Sequence, residues 1–343
     1  NIFNIGDTAG QMNSRLFGYF GEKIMKAILF EKIGGPLKFE EVMDPVVKEG
    51  EIFVEIHAAS VNPADHKVRE GFYGGGTKIK FPHISGRDFS GVVRELGVGV
   101  SDFALGDKVF GVLDVGHEGT YAEFVTEKAE IIAKKPDFFS HPEASAIALT
   151  GLTALVSLED TAKIQAGEKL LIQGGAGGVG SFAVQLAHHL GAHVSVTASL
   201  HNHDYLRNLG ADELIDYNRV DFRDVVTNCD AVYDTVGGEV HRNSYDTLRP
   251  GGRMVYIAPQ PKDFEVPRDD VTVLRPNVGR ARTYLERIIE LAERGIVIPP
   301  EIETMSLSEA AAAQEKSKTG HVRGKVVLEV WGSQDAGGEL PNS

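Results

Sequence analysis

The sequence is nearly empty of cysteine. Cys229 is alone among 343 residues, so no internal disulfide can form and no cysteine-based zinc site can be assembled. A reducing compartment, the cytoplasm, is the expectation that fits. Long apolar runs are missing as well. The longest, near residues 146–158, is too short for a bilayer and is broken by Thr150, Thr153 and Ser157. The start of the chain lacks a basic segment followed by an apolar one, so no signal peptide is expected. Basic residues are outnumbered, 35 Lys and Arg against 49 Asp and Glu, for a net charge of −14. Such a field repels phosphate backbones and anionic lipid, which argues against nucleic-acid and membrane partners. A local basic patch can still hold one small phosphorylated ligand. Several catalytic signatures are absent too: there is no H-E-x-x-H, no G-x-S-x-G elbow and no G-x-x-x-x-G-K-[ST] loop.

What is present is an ordinary globular balance, 42% apolar and 24% charged, in a chain long enough for two domains. Residues 25–31, 51–58, 89–96, 107–113 and 120–126 read as short strands between Gly-rich turns, the pattern of a compact β domain. The pattern changes after Pro142. A helix is expected over 143–158, and strands then alternate with helices. Lys169–Gln173, 193–197, Glu213–Asp216, 231–234 and 252–257 are the strands; 179–190 and 203–209 are the helices between them. Alternation of this kind predicts a parallel sheet covered on both faces. An amphipathic helix over 281–293 and a last strand over 325–330 follow.

The sharpest local signal is Gly174-Gly175-Ala176-Gly177-Gly178-Val179-Gly180. It follows a strand and opens a helix, the context that G-x-G-x-x-G needs. Gly175 is expected to permit the tight turn, Gly177 to let a pyrophosphate approach, and Gly180 to let helix and strand pack closely. A carboxylate about 20 residues on would bind an adenosine 2′-hydroxyl. The next strand is instead followed by Ala198-Ser199-Leu200-His201-Asn202-His203, with no acid at its tip. That favours NADPH over NADH. Arg207 and Tyr217 are further candidates to assist.

Other segments recur in a recognisable order: Ser60-Val61-Asn62-Pro63-Ala64-Asp65, Gly86-Arg87-Asp88-Phe89-Ser90-Gly91, Gly106-Asp107-Lys108-Val109, and Thr150-Gly151-Leu152-Thr153-Ala154. The glycine loop, Leu209-Gly210-Ala211-Asp212, Ile215-Asp216-Tyr217 and Gly320-His321-Val322-Arg323-Gly324-Lys325 complete the set. With these motifs the chain resembles the zinc-independent, zeta-crystallin-like quinone oxidoreductases of the medium-chain dehydrogenase/reductase superfamily. The resemblance implies an α/β fold, a GroES-like β-barrel catalytic domain (25–147 and 279–331) plus a Rossmann doubly wound parallel sheet that binds NADPH (148–278). Residues 1–24 would be an extension and 332–343 a tail.

It also implies hydride transfer from NADPH to a quinone or an α,β-unsaturated carbonyl. An enoyl-thioester reductase, or a low-turnover NADPH-binding sensor or structural protein, is the alternative. By resemblance Asn62, Asp65, Thr153, Ala258, Leu274 and Asn277 lie near the nicotinamide, and Val236 and Ile257 join the glycine turn, Gly175, Gly177, Gly178, Val179 and Gly180, in holding the cofactor. Asn62 and Tyr73 are the catalytic candidates, Tyr73 as the donor that polarises the acceptor. Ser199, His201 and Tyr217 would meet the 2′-phosphate, with Lys325 and Arg323 adding positive charge. Zinc-dependent relatives hold their metal at places matching Asn62, Arg87, Asp88 and Leu149, which are poor zinc ligands as a set, so no metal is expected. A homodimer joined at a sheet edge near 271–274 is expected as well.

Overall fold

The computed structural model describes residues 23–72, 79–114, 116–117 and 119–331. Tyr73, the tail over 332–343 and nearly all of the expected N-terminal extension lie outside the described residues. In chain order the elements are β1 Ile24–Phe30, β2 Lys38–Met43, β3 Glu51–Ser60, α1 Pro63–Arg69, β4 His83–Ile84, β5 Asp88–Leu96, β6 Lys108–Val112, β7 Phe124–Lys128 and β8 Ala133–Lys134. There follow α2 His141–Leu155, β9 Lys169–Gln173, α3 Gly178–His189, β10 His193–Ala198, α4 His203–Asn208, β11 Glu213–Asp216, β12 Cys229–Asp234, α5 Gly238–Ser244, β13 Leu248–Tyr256 and β14 Thr272–Leu274. α6 Arg282–Glu293, β15 Ile302–Ser306, α7 Ala310–Lys318 and β16 Lys325–Glu329 close the chain.

The first part is a β barrel of the GroES-like kind. β3 is its centre, bonded antiparallel to β5, β7 and the returning β16. Its alternation of buried and half-buried residues sends Ile52, Val54 and Ile56 into the barrel core. A small sheet, β2-β1-β4, covers one side. The strand expected over 120–126 begins later, at Phe124. Residues 121–123 are claimed by neighbouring segments instead: Tyr121 N–H donates to the Ser85 carbonyl, and Glu123 N–H to Lys26.

The second part is a six-stranded, all-parallel sheet in the order β11-β10-β9-β12-β13-β14. The chain starts at β9, steps outward through β10 and β11, then restarts on the other side at β12. This is the doubly wound Rossmann arrangement, with its switch point between β9 and β12. β9 sits mid-sheet and is buried from Leu170 to Gln173, as a strand covered on both faces must be.

α2 joins the two parts. Ser140 caps it in a reciprocal pair with Glu143, with Pro142 in the first turn. It is buried on nearly every side, packing on β3, β5 and β6 and also on α3 and α6. The helix expected over 143–158 ends as α-helix at Leu155 and continues as a wide π-helical stretch to Ala162, stopped by Lys163 in a left-handed conformation (φ 54°). β16, the last strand of the described residues, returns to pair with β3 in the barrel, and Gly324 just before it bridges to Gly177 of the second part.

Candidate active site

The carboxyl ends of β9 and β12 meet at the switch point, where open α/β sheets bind their ligands. The glycine turn lies there. Gly174, not Gly175, takes the left-handed conformation (φ 78°). Gly175 is needed for a different reason: a Cβ on it would lie 2.1 Å from Val196 Cγ1 on β10. The expected role of the first glycine therefore divides between two neighbours. Gly180 behaves as expected, since its Cβ would meet the Gly174 carbonyl oxygen at 2.3 Å and Gly175 Cα at 2.8 Å. Gly177, the N-cap of α3, is different. Its backbone is extended (φ −74°, ψ 171°), and a Cβ there would find nothing nearer than 3.9 Å. No side chain caps α3 and no acid stands in its first turn, leaving its first N–H groups for an anion. This cradle fits a dinucleotide pyrophosphate.

The other domain closes on this turn. Gly324 N–H donates to the Ala176 carbonyl at 2.8 Å. A Cβ on Gly178 would strike Lys325 Cδ at 2.7 Å and Thr150 Cγ2 at 2.8 Å. Thr150 thus abuts the turn; the Thr153 hydroxyl donates to the Leu149 carbonyl within α2. The Lys325 stem lies on the glycine turn while its ammonium, 2.6 Å from both the Val61 carbonyl and Asn62 Oδ1, enters the barrel.

There it joins a buried polar cluster. The Asn62 amide donates to the Ser60 carbonyl at 3.1 Å and to Asp88 at 3.2 Å. Asp88 also accepts from Ser60 Oγ at 2.8 Å. Asp65 takes Asn62 N–H and the Tyr121 hydroxyl on Oδ2, each at 2.8 Å, and Arg87 Nε lies 3.6 Å from its other oxygen. Two cations and two carboxylates balance. Burial pushes Asp65 up to about 6, against the pull of Arg87 and of its hydrogen bonds. Burial likewise raises Asp88 and lowers Lys325. Every polar group of the Asn62 side chain is already bonded, so it positions Lys325 and Asp88. On α1, Lys67 is half-buried, its pKa lowered by burial, and its ammonium has no hydrogen bond or ion pair among the described residues. Sequence reasoning passed over it because a lone lysine on a short helix carries no pattern.

At the tip of β10, Ser199 Oγ accepts from Asn202 Nδ2 at 3.1 Å and lies 3.5 Å from His201 Nε2. Arg323 reaches this loop: its Nε donates to Asn202 Oδ1 at 2.8 Å and Nη2 to the His201 carbonyl at 3.2 Å. Tyr217, exposed, follows Asp216, whose register partner on β10 is Ala198. Arg207, by contrast, is paired with Asp204 at 2.6 Å. On the other side of the switch point, a Cβ on Gly174 would meet Val236 Cγ2 at 2.9 Å, and one on Gly237 would lie 3.0 Å from Ala258 Cβ. Val236 therefore meets the turn, Ala258 stands behind it against Gly237, and Ile257 N–H donates to the Asp234 carbonyl at 3.1 Å. Leu274 lies on the outermost strand, paired with Val255, and Asn277 is exposed beyond it. A surface depression of about 550 Å³ includes no residue of the glycine turn. Its Arg282 is already tied to Asp102 and to the Ala129 and Ile132 carbonyls.

Known proteins match this arrangement. Residues 48–137 match the alcohol dehydrogenase GroES-like domain, and residues 209–328 match the zinc-binding dehydrogenase family. The quinone oxidoreductase structure from Coxiella burnetii superposes with a TM-score of 0.84 at 36% identity, over 90% of this chain and 100% of that one. The chain belongs to the quinone oxidoreductase family of the medium-chain dehydrogenase/reductase superfamily. Among other relatives of this family, the mitochondrial NAD(P)H oxidoreductase RTN4IP1 of Danio rerio is 31% identical over 83% of this chain and 84% of its own length. The 2-methylene-furan-3-one reductase of Solanum lycopersicum is 34% identical over 85% and 75%.

The zinc in the family model's description does not fit this quinone oxidoreductase-family chain. Asn62 Oδ1 accepts from an ammonium, Arg87 is a cation beside Asp65, Asp88 is held by Ser60 and Asn62, and Leu149 has no donor atom. Among the described residues no group of three or more His, Cys, Asp or Glu could hold a metal ion. No helix among them is long and apolar enough to cross a membrane.

Proposed function

We propose that this protein transfers hydride from NADPH to a quinone or an α,β-unsaturated carbonyl, without zinc. The observation that carries the reading is the glycine turn itself. It is open at Gly177, tight at Gly180, and joined through Lys325 to a buried polar cluster in the other domain. The names of relatives support it: one is an NAD(P)H oxidoreductase, one a quinone oxidoreductase, and one a reductase of a 2-methylene-furan-3-one.

Bound NADPH supplies the hydride. The residues of the chain do the rest. Gly177, Gly178 and the first N–H groups of α3 cradle the pyrophosphate. Ser199, His201 and Tyr217, with Arg323 behind them, meet the 2′-phosphate; the absence of an acid at the tip of β10 removes the repulsion that NADPH would otherwise face. Asn62, Asp65, Asp88 and Lys325 set the barrel wall against the turn. Without a metal, charge developing on the acceptor oxygen needs a hydrogen-bond donor. The donors of Asn62 and Tyr121 are in use; the Lys67 ammonium on α1 and the Ser85 and Thr120 hydroxyls, buried with no hydrogen-bond partner among the described residues, are the candidates.

The test is NADPH oxidation across a panel of quinones and enones, with calorimetric titration of both dinucleotides. Turnover with a lower KM for NADPH than for NADH is expected, with no stoichiometric zinc in the purified protein. Absence of affinity for either dinucleotide would overturn the reading. NADPH binding without turnover on any acceptor would point to a sensor instead.

A further inference from the structure

A buried Asp234–His241 pair has no part in the roles given above. Asp234 ends β12, and its register partner on β9 is Gln173, the residue before the glycine turn. Both side chains are wholly buried. Asp234 Oδ1 accepts the backbone N–H groups of Val236 at 2.8 Å and Gly237 at 2.9 Å. Its Oδ2 lies 2.9 Å from His241 Nδ1. An ionised carboxylate only accepts, so Nδ1 is the donor. The opposite ring nitrogen faces Gln260 Nε2 at 3.2 Å and the Tyr245 hydroxyl at 3.4 Å.

These contacts join two loops. Gln260 follows Ala258 and Pro259 in the loop after β13. Gly238 N–H donates to the Pro259 carbonyl at 3.2 Å, and a Cβ on Gly237 would sit 2.4 Å from that same oxygen. The first loop also presses on the glycine turn, where a Cβ on Gly174 would meet Thr235 Oγ1 at 2.8 Å. Tyr256 and Phe264 stand edge-on to the His241 ring, with centroids 5.0 Å away. Filling that aromatic cage asks only for a ring. Reaching Asp234 on one side and Gln260 on the other asks for two ring nitrogens.

We infer that His241 is a positioning residue that, through Asp234 and Gln260, locks the 235–237 and 258–260 loops into one platform for the half of the dinucleotide beyond the pyrophosphate. This rests on the dinucleotide reading above, and on the rule that ligands lie outside the carboxyl ends of strands at a switch point.

His241→Phe keeps a ring in the cage and loses both hydrogen bonds, whereas His241→Asn keeps a donor near Nδ1. Each is titrated with NADPH by calorimetry and assayed with 1,4-naphthoquinone. His241→Phe is expected to weaken NADPH binding about tenfold, because the unlocked loops must then be ordered on binding, and to raise KM for NADPH to match. KM for naphthoquinone is expected to stay within about twofold, and His241→Asn to recover most of the affinity. Should His241→Phe fail to fold by circular dichroism, Gln260→Met removes the second strut and is expected to raise KM for NADPH roughly threefold. A folded His241→Phe, or Gln260→Met, that binds NADPH like the wild type would overturn the inference. So would a parallel rise in both KM values, or His241→Asn faring no better than His241→Phe. Wild-type protein that does not bind NADPH would sink the cofactor reading itself, a result visible before any variant is made.

Discussion

Two glycines three residues apart separate folding from binding. A methyl on Gly180 has nowhere to go, with backbone atoms at 2.3 and 2.8 Å, so Gly180→Ala should lose about 1–3 kcal/mol of stability from overpacking. A methyl on Gly177 would touch only the Gly174 carbonyl oxygen, at a relaxed 3.9 Å, and suits the backbone angles there. Gly177→Ala should therefore melt within a few degrees of wild type while KM for NADPH rises at least about tenfold, because the methyl occupies the pyrophosphate's approach. Equal effects of the two substitutions on melting would contradict this division. Lys67→Met tests the oxyanion donor: kcat should fall about 10²-fold or more with NADPH affinity unchanged, and an unaltered kcat would remove Lys67 from the chemistry. Asp65 gives a pH signature. Burial raises its folded pKa from 3.8 to about 6, so the folded state keeps a proton that the unfolded chain releases between those values. Stability from this group is thus largest at low pH and declines as pH rises through about 6. Asp65→Asn removes the titration. Measured by urea unfolding, the stability of the variant relative to wild type should improve by about 2 kcal/mol between about pH 4 and about pH 7. A difference that does not vary with pH would mean that Arg87 and the hydrogen bonds hold the carboxylate ionised throughout.

At the scale of elements, the loop between β10 and α4 decides between the two dinucleotides. His201 stands exposed near Ser199, and the nearest guanidinium, Arg323, is bonded to the loop itself and to Glu301. His201→Lys should lower KM for NADPH about tenfold and leave that for NADH unchanged, since a charge-assisted hydrogen bond adds only where a phosphate is present; a fall for both would mean a general electrostatic effect. Legibility in the sequence also divides at this scale. β9 was readable to the residue, because a short apolar run between turn residues announces a buried parallel strand, and β11 from its place in the strand–helix alternation after Gly210. The glycine turn was readable for the same local reason. β2 was not, since Lys38–Met43 is mostly exposed and carries no apolar alternation. Nor was α7, whose alanines give one face little more hydrophobicity than the other. The polar cluster was legible as separate motifs around Asn62, Arg87 and Lys325. Its connections were not, because Lys325 meets Asn62 across 263 positions and Tyr121 meets Asp65 across 56. Pattern along a chain cannot report such pairings.

At the scale of the whole molecule the open question is the outer edge of the parallel sheet. β14 is three residues long and pairs with β13 on one side; no strand of the described residues lies on its other side. Val273 and Leu274 already pack against the cores beneath them, so what the edge offers is its row of backbone donors and acceptors rather than an apolar patch. Such a row pairs with another strand unless something blunts it, and β14 has no proline and no charged side chain within it. A second copy related by a two-fold axis would present the same edge in return, as self-complementary interfaces require, and would join the two six-stranded sheets into one. Light scattering should then give twice the 37.1 kDa of one chain. Thr272→Pro, at an exposed position of that strand, removes a donor and should shift the mass toward a single chain. A wild-type mass of one chain would reject the pairing; a dimer indifferent to Thr272→Pro would move the interface elsewhere on the molecule.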